Sequence, residues 1–330
     1  MINMKKVAKD AGVSISTVSR VLSGSDLVKE KTKTRVLEAV SRLHYQPNIL
    51  AKGLKLGYTN TIALMLPSIE NQIFPVITRG VEDVARKNGF TVVLCNTDED
   101  MKVERDYIDK LKTRLIDGFI VASMLPGSDH IRALCAEDFP VVLTGRYYDD
   151  TISTVAIDNY HAAYDAVCYL IKTHHQRIAL ALGRMELSIY QQRYQGYIDA
   201  LRDHGFEIDP ELVIHETNGT NSFYYLTQEI LKKTPRIDAI FASSDPKAIV
   251  IMRAIQDMGF HIPEDISVLG FDNIEISALV EPPLSTVSQP LYEIGALAAK
   301  KVIQMIKGKG TVKPSIDFLK TDLIIRKSTR

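Results

Sequence analysis

From Thr61 onward the chain repeats one pattern, a short apolar run followed by a longer amphipathic stretch. The runs are TIALMLP (61–67), FTVVLCN (90–96), GFIVAS (118–123), PVVLTG (140–145), STVAID (153–158), RIALALG (177–183), LVIHET (212–217), DAIFASS (238–244) and ISVLGFD (266–272). Between them sit helically spaced stretches such as FPVITRGVEDVARKNG and HAAYDAVCYLIKTHH. Apolar strands alternating with helices predict a parallel sheet covered on both faces. Nine strands are more than one sheet comfortably holds, so the pattern predicts an α/β body of two doubly wound lobes. A chain of 330 residues has room for that and a further small domain.

Residues 1–57 read differently. They hold 11 Lys/Arg against 4 Asp/Glu, a balance of +7, while the remainder holds 29 against 36 and the whole chain is formally neutral. A basic head on an acidic body predicts a polyanionic partner for the head alone. Val7, Ala8 and Ala11 share a helix face, Gly12 can close that helix, and Ser14 is placed to cap a second one. On the second helix Val18, Val21 and Leu22 face inward, which leaves Ile15, Ser16, Ser19 and Arg20 outside. A third helix is expected over 28–43, with Thr32, Val36, Ala39, Val40 and Leu43 as its apolar stripe. Helix, short turn with Gly, helix, helix is the spacing of an all-α helix-turn-helix. Ser and Thr are mediocre helix formers, but short donors and acceptors suit a helix lying against base edges and phosphates. HYQPNILAKGLKLGYT (44–59) follows, in which Pro47 suits a first helical turn and Gly57 a stop. Two turns are marginal in water without support, so this segment reads as a hinge that orders on DNA.

AGVSISTVSRVLSG, then YQPNILAKGL, then TNTIALMLP resembles the LacI/GalR family of bacterial transcriptional regulators, and the likeness runs over essentially the whole chain. The resemblance implies a helix-turn-helix domain at 1–46, a hinge helix at 47–57 and an effector-binding and dimerisation domain at 58–330. It implies a periplasmic-binding-protein-like body, its N-lobe near 58–158 plus 289–318 and its C-lobe near 159–288 plus 319–330. The family's base-reading positions fall on Ile15, Ser16 and Arg20, and its phosphate-touching positions on Ser14, Thr17 and Ser19. In the hinge, Asn48, Ala51 and Lys52 match DNA contacts, and Leu54 matches the minor-groove wedge. Implied partners are a pseudo-palindromic double-stranded operator, a small-molecule effector and a second copy of the chain, with no membrane. A phosphocarrier protein is a further candidate, because Lys300 and Lys301 in GALAAKKVIQMIKGKG stand near where such a partner docks in some members.

Ligands of doubly wound sheets bind beyond the carboxyl ends of the strands. Those ends supply Arg146, Asp158, Asp245 and Asp272, and carboxylates facing an Arg across a cleft suit a polyhydroxyl ligand. By resemblance Arg193 in RYQGYIDAL, Asp272 in GFDN and Phe74 in ENQIFPVI are effector contacts, with Asp158, Asp245 and Gln289 as weaker candidates. Capping the following helix is the competing role for Asp158, Asp245 and Asp272. Leu187 and Ile189 are apolar where purine-binding members make contacts, which speaks against a purine. Asn218 stands where sugar-binding members often place Trp.

No Walker A, G-x-S-x-G, G-x-G-x-x-G or metal-spaced His motif occurs, so neither an enzyme nor a cofactor or metal is expected. His174-His175 reads as a solvated or helix-capping pair. Cys95, Cys135 and Cys168 are scattered and read as thiols of a reducing compartment. The opening residues lack an apolar signal region and no run spans a membrane, so a cytoplasmic homodimer is expected. The reading is a repressor of carbohydrate-related genes, switched by a sugar, sugar acid or sugar phosphate. The alternatives are a global catabolite-type regulator with a phosphocarrier corepressor and, further off, a sugar-binding transport protein.

Overall fold

The computed structural model describes residues 3–22, 27–45, 59–113, 116–148, 150–217, 219–233, 237–308 and 313–330. These form two compact units, Met1–Asn60 and Thr61–Arg330.

The first unit holds α1 (Met4–Asp10), α2 (Ile15–Leu22) and α3 (Glu30–Arg42). Val7, Ala8, Ala11, Val18, Val21, Val36, Ala39 and Tyr45 make its core. The Asn3 side chain caps α1 by accepting from the Lys6 N–H at 3.1 Å. Gly12 ends it at φ +59°, and the Val13 N–H returns to the Ala8 carbonyl at 3.0 Å. Arg35 of α3 then donates Nη2 to the Ala11 and Gly12 carbonyls, so the third helix holds the turn between the first two. α3 starts at Glu30 rather than 28, because Lys29 is still extended at ψ 140°.

The second unit has two six-stranded sheets. One contains β1 (Thr61–Leu66), β2 (Thr91–Asn96), β3 (Gly118–Val121), β4 (Val141–Thr144), β5 (Thr154–Ile157) and β11 (Ile316–Leu319), in spatial order β2-β1-β3-β4-β5-β11 and parallel throughout. The other contains β6 (Ile178–Leu182), β7 (Val213–His215), β8 (Ala239–Ala242), β9 (Ser267–Asp272), β10 (Ser285–Ser288) and β12 (Asp322–Ile324), in order β7-β6-β8-β9-β10-β12. Only β12 runs antiparallel among its described pairings. Buried residues fill β1, β3, β4, β5, β6 and β8 almost end to end, as a sheet covered on both faces requires. In both sheets strand order reverses beside the first strand, which opens a crevice at the carboxyl ends.

The covering helices are α4 (Ile73–Lys87), α5 (Met101–Lys112), α6 (Asp129–Ala136), α7 (Asn159–Lys172), α8 (Ser188–Asp203), α9 (Ser222–Lys233), α10 (Asp245–Asp257) and α11 (Leu291–Lys307). The chain passes from the first sheet to the second after β5, returns after β10 and crosses again between β11 and β12. α11 packs against α4 through glycines: a Cβ on Gly295 would stand 2.0 Å from the Ile77 carbonyl oxygen, and one on Gly80 2.1 Å from that of Tyr292. Gly196 of α8 makes the equivalent approach to α7 at the Tyr160 carbonyl.

Candidate functional site

The first unit presents a polar surface along α2. Ser14 Oγ accepts from the Thr17 N–H at 3.1 Å and lies 2.7 Å from Ser16 Oγ and 2.8 Å from Thr17 Oγ1. It caps the helix and gathers three hydroxyls at its N-terminus. Val18 and Val21 point into the core, while Ser14, Ile15, Ser16 and Arg20 are exposed and Thr17 and Ser19 half-buried. Ile15 is 48% exposed, an apolar group beside donors and acceptors, which is what reading a thymine methyl among hydrogen-bonding edges calls for. Asn48, Ala51, Lys52 and Leu54 of the hinge lie outside the described residues.

In the second unit a cavity of about 140 Å³ sits at the carboxyl ends of both sheets. Pro67, Ser68 and Ala122 reach it from one sheet, Ser244 and Asp272 from the other. Phe74, Arg146, Arg193, Asp272 and Gln289 line it together. Arg193 enters from the second turn of α8 and is buried. Its Nε donates to Asn159 Oδ1 at 2.9 Å and its Nη1 to the Ser243 carbonyl at 2.5 Å. Its guanidinium carbon lies 3.5 Å from the centroid of the Phe271 ring. Burial pulls the Arg193 pKa down, and the nearby Asp272 pushes it back up.

Asp272 closes β9 with φ +127°, a region that costs a residue with a Cβ and persists only where the surroundings enforce it. Gln289 Nε2 donates to its Oδ1 at 2.6 Å. Burial pushes its carboxyl up to about 7, against the pull of Arg193 and with the push of Asp245. A fixed fork and a carboxylate sharing one wall can bind hydroxyls as acceptor and donor at once. On the opposite wall Arg146 Nη1 and Thr144 Oγ1 are buried without a hydrogen-bond partner among the described residues.

Two sequence candidates are placed elsewhere. Asp158 caps α7, accepting from the His161 N–H at 2.9 Å and facing His161 Nδ1 at 2.7 Å, with no part in the cavity lining. Asp245 is buried behind the wall, where it accepts from the Ile274 N–H at 2.9 Å and Thr286 Oγ1 at 2.6 Å. Asp158 is claimed by the open N–H groups of the helix it caps, and Asp245 by donors of the loop after β9 and of β10. Of the motif positions weighed for purines, Ile189 lines the cavity and Leu187 is buried; Asn218 lies outside the described residues.

Other lining residues were not read from the sequence. Tyr190 stands one turn before Arg193 on the same helix face, a spacing that could have found it. Lys247 Nζ, buried behind it, lies 3.3 Å from the Tyr190 hydroxyl, and Gly183 leaves room for the ring, since a Cβ there would fall 2.4 Å from it. Glu99 and Thr144 also line the cavity and carried no local signal. Of the two roles expected for His175 the structure shows capping and not solvation: the ring is fully buried, Nδ1 meets the Leu170 carbonyl in the last turn of α7 at 2.9 Å and Nε2 meets Ser267 Oγ at 2.8 Å, and burial lowers its pKa. Lys301 is tied to Asp317 and to Ser315 at 2.7 Å, while Lys300 is exposed. Cys95 and Cys168 are buried free thiols and Cys135 is half-buried. Among the described residues there is no metal-type cluster, and no helix is long and apolar enough to cross a membrane.

Comparison with known proteins matches residues 3–48 to the bacterial regulatory proteins of the lacI family, and residues 59–322 to the periplasmic binding proteins and sugar-binding domain of the LacI family. The chain belongs to the LacI family. It is 36% identical over 99% of both chains to the HTH-type transcriptional regulator RegA of Clostridium saccharobutylicum. Its fold matches a lac repressor dimer bound to operator and the anti-inducer ONPF, with a TM-score of 0.90, 25% identity and 99% of both chains covered. It also matches the transcriptional regulator CelR in complex with cellobiose, with a TM-score of 0.76 and 30% identity over 99% of this chain and 100% of that one. As a LacI-family chain it is a DNA-binding transcriptional regulator and not an enzyme.

Proposed function

We propose that this LacI-family regulator is a cytoplasmic homodimeric repressor that binds a pseudo-palindromic operator and is switched by a hydroxylated small molecule in the cavity of its body. In this reading residues 1–46 are the DNA-binding domain, 47–57 the hinge and 58–330 the effector-binding and dimerisation domain. Ser14, Ser16, Thr17 and Ser19 supply short donors to phosphates and base edges, Ile15 an apolar base contact, and Arg20 a fork toward guanine. Arg146, Arg193, Asp272 and Gln289 hold the effector's hydroxyls, and Phe74 and Tyr190 cover its apolar faces.

The observation that carries the reading is that buried Arg193 and buried, strained Asp272 line one cavity. Neither group serves the fold well there, since burying an ionisable group and holding an Asp at positive φ both cost stability. Relatives agree in kind: one is described in complex with cellobiose, another as bound to operator. The test is a thermal-shift screen of the full-length protein against a panel of mono- and disaccharides, followed by operator titration with each hit. A sugar that raises the melting midpoint and shifts operator affinity, both effects being lost in Arg193→Met, supports the proposal. A hit whose binding survives Arg193→Met would remove the cavity from the mechanism.

A further inference from the structure

Glu99 lies on the loop between β2 and α5, where Asp98 and Glu99 are consecutive non-glycine residues with positive φ, +50° and +57°. Strain of this kind persists where surrounding contacts enforce it. Here the contacts reach both walls of the cleft. The Glu99 carboxylate takes Arg146 Nη2 from the loop after β4, and its other oxygen takes Arg184 Nη1 from the loop after β6 in the opposite sheet. Arg184 also holds Glu186 at 2.7 Å.

Lys247 Nζ lies 3.3 Å from Glu216 Oε2, while Arg193 donates to Asn159 and to the Ser243 carbonyl. Glu99 thus answers Arg146 and Arg184 together, so neither guanidinium stands without a carboxylate when an anion enters. What the cleft also holds is unused hydrogen-bonding capacity: Arg146 Nη1 and Thr144 Oγ1, both buried, belong to residues lining the cavity and have no partner among the described residues. One fork nitrogen beside one hydroxyl matches a ligand hydroxyl, which accepts from the first and donates to the second.

We propose that Glu99 is a specificity-determining residue: it occupies from within the chain the arginine pair that a phosphate or carboxylate would need, so the cleft takes an uncharged polyol and rejects its phosphorylated or acidic counterpart. This rests on the cleft being the effector site. It narrows that reading to neutral ligands and makes Glu99 the group that enforces the choice.

The test uses the full-length protein with inorganic phosphate as probe, against chloride at equal ionic strength, by calorimetry and melting midpoint. Phosphate held by the basic head is common to all variants, so the informative quantity is the difference that Arg146 makes. Wild type is expected to show no phosphate binding that Arg146→Met removes. Glu99→Gln is expected to gain it, about tenfold or more, the scale of one uncompensated charge at partial burial. The gain disappears in Glu99→Gln/Arg146→Met. Glu99→Asn, whose side chain tolerates the left-handed backbone, repeats the experiment should the Gln variant fold poorly. Arg146-dependent phosphate binding in the wild type overturns the proposal, as does absence of any gain in both Glu99 variants. Matched pairs, ribose with ribose 5-phosphate and glucose with glucose 6-phosphate, extend the test to sugars. Failure of both members of every pair to bind counts against the sugar reading, while the phosphate arms still decide the role of Glu99.

Discussion

Asp272→Asn should move stability and effector response in opposite directions. The Asp272 carboxyl is held at about 7 by burial, whereas in the unfolded chain it titrates near the usual value of about 4. The folded state therefore binds this proton more tightly than the unfolded one. The associated stability is fully present below about pH 4 and is lost as pH rises through about 7. Three pH units at about 1.4 kcal/mol each give a loss of about 4 kcal/mol, complete by pH 8. Asn removes the titration, keeps an oxygen to accept from Gln289 and preserves volume. Relative to wild type the variant should gain about 2 kcal/mol between pH 5.5 and pH 8, because roughly half of the titration lies above pH 5.5. Effector binding should weaken at pH 8, where the wild-type group is ionised and the variant lacks that acceptor; a stability gain with a functional loss is the pattern of a strained site. Urea midpoints of both proteins at the two pH values, with effector calorimetry at pH 8, provide the measurement. A stability gap that does not change with pH would mean that Asp272 ionises at an ordinary value and that its burial carries no such penalty.

Further outcomes follow from other parts of the molecule. Arg20→Ala should weaken operator binding by about 1–3 kcal/mol and relax discrimination at one base position, and wild-type affinity should fall with salt at close to one log unit per phosphate neutralised; gel-shift titrations across salt check both. Gly295→Ala should destabilise the body by about 1–3 kcal/mol or more, because its Cβ meets the Ile77 carbonyl at 2.0 Å and backbone cannot step aside; the thermal midpoint reads it. Arg35→Ala leaves the Ala11 and Gly12 carbonyls without their donor and should cost the head about 2 kcal/mol, measured by hydrogen exchange in α1 and α2.

The strands that could be read from sequence are those whose burial is written in apolar side chains. β6, IALAL, is buried at every position and can hardly be anything else. β10 is not legible in the same way, because STVS carries one apolar residue in four. Its Ser285 and Thr286 are fully buried nonetheless, and their hydroxyls are satisfied by Thr329 at 2.8 Å and Asp245 at 2.6 Å. A strand whose polarity is paired by distant residues looks like a loop until those partners are in place. β11 and β12 sit at sheet edges and are half exposed, so their apolar signal is diluted. The cavity divides along similar lines. Arg193 is placed by the family resemblance of its motif, and Asp272 by that resemblance and its position at a strand end, whereas Glu99 and Thr144 gain meaning only when two sheets, remote in sequence, face each other.

The chain crosses between the two sheets three times, and this sets an order of events during synthesis. The first sheet gathers five of its strands by Ile157, yet its edge strand β11 and the helix α11 that covers it arrive only after residue 290. The second sheet waits for β12, and with it for Ser328, whose hydroxyl accepts from the Ser285 N–H at 2.8 Å and donates to the Val268 carbonyl at 2.6 Å. Both lobes thus stay incomplete on the ribosome while the small helical head, emerging first, has long since been able to fold. A polypeptide interrupted anywhere in its last forty or so residues would carry a finished helical head on a body whose two sheets, and the cavity at their carboxyl ends, are still unfinished.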